Sequence, residues 1–321
     1  MESDDETYDI EDEYNDESYS RDICSLYKEL TFLDLINQLE IFGYDNRKVR
    51  NNYKAYDHYK QIFHFSLVKE YNIGSIFRND QIPQDFYQYN SIRITKDSDI
   101  DSLVFLIYSN IIHTREVLCF FVDFQGIKNK YNWHTTLLIY RPDSKLLEHY
   151  DSNGIHRHGD IDKFSQIIEI LKDRIEGLVF VSSVVLHSFT ELEIDYACSR
   201  SINRICGLVD KSNPGWCQIW SLFMYEMIVK YPHMRTKDFI NILYNSLKGG
   251  SLGNAAYKAL NIIKGYYIIL VYRTNTFIED RRIHISFETL ECFDPIHVIN
   301  DIALKKLIDD TMCNRLLSIF F

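Results

Sequence analysis

The chain has 321 residues, of which 46% are hydrophobic and 14% aromatic, enough to bury one large core or two ordinary ones. Its formal charge of −11 is carried by residues 1–20, which hold ten Asp or Glu and no Lys or Arg; the remainder is close to neutral. That balance excludes a basic nucleic-acid footprint, and no apolar run is long enough to span a bilayer, so neither a nucleic acid nor a membrane is expected as a partner.

The acidic stretch is poor in aliphatic residues and reads as a disordered tail at 1–20. An N-terminal helical region is expected over 21–99, with an apolar stripe at Leu26, Leu30, Leu33, Leu35, Ile36 and Leu39 and a further segment at Tyr59 to Tyr71. A catalytic-type domain is expected over 100–321. In it, Leu103 to Tyr108 and Val117 to Val122 read as buried strands. Asn132 to Tyr140 is apolar on both faces and reads as a central strand. Arg141-Pro142-Asp143-Ser144 is a turn, and Lys145 to Asp151 is the return strand. A helix is expected from Phe164 to Ile175, a strand from Leu178 to Leu186, and a polar loop over 187–216. Helices follow at Trp216 to Tyr231, where apolar residues recur every three or four positions, and at Thr236 to Leu247. Ala255 to Val271 reads as helix turning to strand, and Phe287 to Phe321 ends in a helix. Helices flanking a run of strands give an α+β class, with a central mixed or antiparallel sheet.

Seven cysteines with irregular spacing suit a reduced, cytoplasmic setting better than a disulfide framework. One of them, Cys217, follows Pro214-Gly215-Trp216 at the first turn of a helix. There the dipole and the unpaired N–H groups favour thiolate, the form that attacks carbonyls.

The hairpin supplies a base. Pro142 excludes a type I′ turn, and a two-residue loop at 142–143 or a four-residue loop at 141–144 remains. Both place His134 directly opposite Asp151, with Cβ atoms about 4.5–5.5 Å apart, whereas a three-residue loop would break that pairing. A carboxylate at that distance orients an imidazole for general base work. His149 is the alternative base and Asn153 the alternative orienter. His187, Cys198 and Cys206 are possible metal ligands, but their spacing matches no standard zinc module. No P-loop, dinucleotide fingerprint or H-E-x-x-H occurs, and no metal or cofactor is expected.

The order His, acid, Cys, together with Trp133-His134-Thr135-Thr136 through Glu148-His149-Tyr150-Asp151-Ser152-Asn153-Gly154 and Gly215-Trp216-Cys217-Gln218-Ile219-Trp220-Ser221, resembles the superfamily of adenovirus protease and the SUMO-specific proteases. It resembles above all the members encoded by large cytoplasmic DNA viruses. The resemblance covers roughly residues 100–235. It implies a cysteine protease with the triad His134, Asp151 and Cys217, acting in the cytoplasm or virion on a protein substrate, either a viral precursor or a ubiquitin-like protein. Trp133 and Trp216 are then candidates for substrate contact. The superfamily places a glutamine shortly before the cysteine as an oxyanion donor. This chain has none there, so Asn203 and Asn213 are the candidate amides, with Gln125 a distant third. Two rival readings stand: an acyltransferase of the same fold using acetyl-CoA, and an inactive relative serving as an interaction protein.

Overall fold

The computed structural model describes residues 32–41, 43–44, 91–125, 133–154, 161–188, 202–207, 209, 216–248 and 251–281. The acidic tail, the segment at 59–71, His156, His158, Cys198, Asn213 and the helix expected at the C-terminal end lie outside the described residues. The architecture is α+β, built on a five-stranded mixed sheet in the order β1-β2-β3-β4-β5. The strands are β1 (Ser91–Ile94), β2 (Leu118–Gln125), β3 (Trp133–Arg141), β4 (Leu146–Tyr150) and β5 (Val179–Val181). The β1–β2 and β4–β5 pairs are parallel, and the two inner pairs are antiparallel. As its two-faced apolar pattern implies, β3 is the central strand.

Helices cover both faces. On one side are α2 (Ile100–Ile111) and α3 (Ile161–Arg174), packed on Phe120, Val122, Phe124, Leu138 and Leu147. On the other, α1 (32–41), α6 (Trp216–Lys230), α7 (Thr236–Leu247) and α8 (Leu252–Arg281) share a larger core with Phe121, Leu137, Ile139 and Tyr150. Two short helices, α4 (Ser183–Ser188) and α5 (Ile202–Gly207), join this second layer. Alternate residues of β2 and β3 thus serve opposite cores, as the two-residue period of a strand requires. The sheet starts at Ser91, upstream of residue 100, and α1 packs into the same core as the cysteine helix.

Four expectations are corrected. Leu103 to Tyr108 is helical, not a strand. Asp99 caps α2, its carboxylate accepting from the N–H groups of Asp101 and Ser102, and Val104, Ile107 and Ile111 then fall on one buried face. A short apolar run by itself does not separate the two alternatives. The strand expected over Leu178 to Leu186 stops at Val181, because the Ser182 hydroxyl accepts from the Val185 N–H and the chain turns into α4. The polar stretch 187–216 contains α5, whose Ile202, Ile205 and Cys206 are buried. Finally, α8 continues as helix through its β-branched and aromatic residues. Ile262, Ile263, Tyr266 and Tyr267 sit at helical spacing on the core, and that burial outweighs local strand propensity.

The hairpin register also differs from the sequence expectation. Pro142–Ser144 form a 3₁₀ turn, and Lys145 follows with φ of 48°. Arg141 pairs with Leu146 and Leu137 with Tyr150, so the loop is 142–145 and the ladder is displaced by two residues. The left-handed Lys145 is an uncommon conformation for a residue with a side chain. It is held from both ends: its Nζ donates to Glu176 O at 2.8 Å, and its carbonyl accepts from Val179 N at 2.9 Å. Beside the turn, Arg141 donates to Glu148 at 2.9 Å and to the carbonyls of Pro232 and Met234, fastening the α6–α7 connection to the hairpin.

The α1 segment and α8 cross with backbones in contact. A Cβ on Gly265 would lie 2.3 Å from Leu39 O, and one on Gly43 would lie 1.8 Å from Asn261 O. Gly265→Ala should therefore cost about 1–3 kcal/mol through overpacking. A thermal scan should register a fall of several degrees; an unchanged melting temperature would contradict the close crossing.

Candidate active site

The site lies where the first residues of β3, the residues just after β4 and the N-terminus of α6 meet. His134 is the second residue of β3, and its Nε2–H donates to Asp151 Oδ1 at 2.8 Å. The two-residue displacement of the hairpin makes the pair diagonal neighbours and not directly opposed ones. The side-chain period along a strand is two, so a displacement of two keeps both groups on the same face. An odd displacement would have separated them. Asn153 takes the position that continues the ladder opposite His134. Its Nδ2 lies 3.2 Å from His134 Nδ1 and 3.3 Å from Nε2, and its main-chain N–H donates to Asp151 Oδ1 at 2.7 Å.

Cys217 is the second residue of α6. This helix is buried nearly all round, including Ser221 and Glu226, so it is a central helix and not an amphipathic one. Ser221 explains how its first turn is seated. The hydroxyl lies 3.2 Å from Thr135 O and 2.9 Å from Cys217 O, joining the cysteine turn to the residue beside His134. Glu226, deeper in the helix, accepts from the Tyr266 hydroxyl of α8 at 2.9 Å.

The thiol lies beside the His134 imidazole and the backbone of Thr135, close enough for both to act on its ionisation. All three groups are almost sealed from water: His134 is 6% exposed, Cys217 5% and Asp151 0%. Burial alone would drive the imidazole toward its neutral form. The Asp151 carboxylate and the Cys217 sulfur, through charge and hydrogen bonds, outweigh it and lift His134 to about 10. For Cys217, burial pushes the thiol up, but the charge and hydrogen bond of His134 and the Thr135 hydrogen bond bring it below its ordinary value. For Asp151, burial is again the largest opposing effect. His134, the charge of His149 and the Asn153 N–H together hold the carboxyl well below the usual carboxylate range. The shifts of Cys217 and His134 both run in the direction that favours thiolate beside imidazolium, and that of Asp151 favours its carboxylate.

The other candidates are placed as follows. His149 is fully buried, bonded through Nε2 to Thr136 Oγ1 at 2.9 Å and packed on the Phe164 ring at 4.7 Å between centroids. His187 donates from Nε2 to the main-chain carbonyl of Asp151 at 2.9 Å. Among the described residues no group of three His, Cys, Asp or Glu is arranged to hold a metal ion. Trp133 opens β3, Gln125 pairs with it at the end of β2, and Asn203 lies in α5. Trp216 is buried, edge-on to Tyr267 at 6.3 Å. Sequence reading assigned no role to Ser221, Ser183 or His187 at this site. Ser221 was within reach, one turn after Cys217 in a helix, whereas the other two lie more than thirty residues from Asp151.

The paired shifts have a consequence for stability. In Cys217→Ala no thiol titrates at the site, and the Asp151 carboxylate still favours a proton on the folded His134 that the unfolded chain loses above about pH 6.5. The stability this proton contributes is fully present below about pH 6.5 and is lost as pH rises above it. Urea midpoints of the variant at pH 6, 7.5 and 9 should therefore fall with pH, and a flat profile would contradict the raised imidazole. Against known proteins, the chain matches no family model, no curated protein sequence and no solved structure.

Proposed function

We propose that the protein is a cysteine protease that hydrolyses peptide or isopeptide bonds with Cys217 as nucleophile, His134 as proton carrier and Asp151 as orienting carboxylate. The observation that carries this reading is a buried imidazole hydrogen-bonded to a carboxylate and set beside a thiol at a helix start. A nucleophile, a base and an orienter in that order are the parts acyl transfer requires.

The reaction follows from the resting charges. The Cys217 thiolate attacks the carbonyl carbon, and the carbonyl oxygen gains the negative charge. The Cys217 N–H, in the first turn of α6 where N–H groups have no intrahelical acceptor, is the donor aimed at that oxyanion. With Nε2 held by Asp151, His134 delivers its other ring proton to the leaving amine as the C–N bond breaks. The neutral imidazole then takes a proton from water, whose oxygen attacks the thioester. The acid product leaves and the thiolate–imidazolium pair is restored. Asp151 keeps its charge throughout, stabilising the imidazolium and fixing the ring. The substrate is read as a protein, either a viral precursor or a ubiquitin-like conjugate, in keeping with the resemblance of the His134 and Cys217 stretches. The cytoplasm or virion is the setting that accompanies it.

Two measurements test this. With iodoacetamide near pH 6, intact and peptide masses should show Cys217 labelled before any of the other six cysteines; labelling elsewhere with Cys217 untouched would overturn the assignment. On ubiquitin- and SUMO-propargylamide probes and a peptide library, Cys217→Ala and His134→Ala should abolish reaction. Asp151→Asn should lower turnover by orders of magnitude without abolishing it, because the imidazole persists in a less favoured tautomer.

A further inference from the structure

We propose that Ser183 and His187 are positioning residues, a two-point clamp on the main chain of Asp151 that holds its carboxylate on His134. The inference rests on the triad reading above. The β3–β4 ladder ends at Leu137 and Tyr150, so Asp151 is the first residue that the sheet no longer fixes. Helix α4 takes over. The Asp151 N–H donates to Ser183 Oγ at 3.0 Å, and the Ser183 hydroxyl lies 3.3 Å from Asp151 O. The same carbonyl accepts from His187 Nε2 at 2.9 Å. Ser183 and His187 are four residues apart on one helix, hence on one face of it, and both are buried. One helical face therefore bonds both main-chain groups of Asp151, with the Gly154 N–H a further donor to its carbonyl at 2.9 Å, and leaves the carboxylate to His134 and the Asn153 N–H.

The helix that carries the clamp is itself fixed to the sheet. It follows β5, which pairs with β4, and Ser182 caps it. The His187 ring lies between Tyr150 at 6.0 Å and Tyr244 of α7 at 5.9 Å between centroids. Burial pushes the His187 imidazole down to about 4, so near neutrality it carries no charge and Nε2 is its donor. The titratable groups that face this corner are His134 from β3, His149 and Tyr150 from β4, Cys206 from α5, Cys217 from α6 and Tyr244 from α7. Of these, His134 and Cys217 depend on where the Asp151 carboxylate stands. Hydrogen-bond strength falls steeply with distance and angle, so a carboxylate free to rotate stabilises the imidazolium less, and the thiolate with it.

The test is the pH dependence of Cys217 alkylation by iodoacetamide in the full chain, which requires no substrate. In the parent the midpoint should lie below the ordinary thiol range. Ser183→Ala and His187→Phe should each raise it by about one unit, a roughly tenfold loss of thiolate at a fixed pH below the midpoint. His187→Gln, which can donate to the same carbonyl, should restore it. Circular dichroism and melting curves identify the variants that fold, and either of the two disruptive ones suffices. An unmoved midpoint in a folded Ser183→Ala or His187→Phe would overturn the clamp while leaving the triad intact. Equal midpoints in His187→Gln and His187→Phe would overturn the hydrogen-bond role of His187. An ordinary midpoint in the parent would overturn the triad reading itself.

Discussion

A buried histidine set between a carboxylate and a thiol is the constraint on which the rest of this structure depends. Charging such groups where water scarcely reaches is costly, and their mutual attraction offsets that cost only when the geometry is good. Here His134 and the Asn153 N–H both donate to Asp151 Oδ1, and the first turn of α6 presents its positive end to the thiol. Removing a single member of such a buried set typically costs about 3–5 kcal/mol, because it leaves its partner's charge uncompensated. The groups around the site are therefore there to hold geometry as much as to supply chemistry.

That geometry is assembled from elements distant in the chain. His134 comes from the central strand, Asp151 from just past the next strand, and Cys217 from a helix more than sixty residues later. Ser221 fastens the helix to β3 at the site, and Arg141 with Glu148 fastens the far end of the same helix to the hairpin, where Thr236 adds a hydrogen bond at 2.7 Å. The central helix is thus tied to one hairpin at both ends. Between those ties it is enclosed by α1, α7 and α8, and the Gly43–Gly265 crossing lets α1 and α8 approach closely enough to complete the enclosure.

The hairpin shows how a reading can reach the right contact through the wrong register. Pro142 excluded a type I′ turn, as it must, but nothing in the local sequence required Lys145 to adopt a left-handed conformation. That residue is held by Glu176 and Val179, which reach it only through the tertiary fold. The ladder therefore shifts by two residues. His134 and Asp151 still meet because side chains alternate with a period of two.

The amino-acid sequence by itself determined the class of fold, the central position of β3, the helix that begins at Trp216, and the residues His134, Asp151 and Cys217 that converge. Each of these is written in local periodicity, in Pro142, or in residue chemistry at a helix start. Tertiary structure alone decided the helical state of Leu103 to Tyr108, the early end of β5, the continuity of α8 and the role of α4. An apolar run has the same composition whether it packs as strand or as helix, and burial against a partner selects between them. Ser183 and His187 carry no local signal of their task, because the groups they hold belong to a residue more than thirty positions away. Only the folded chain brings that carboxylate and its supports together.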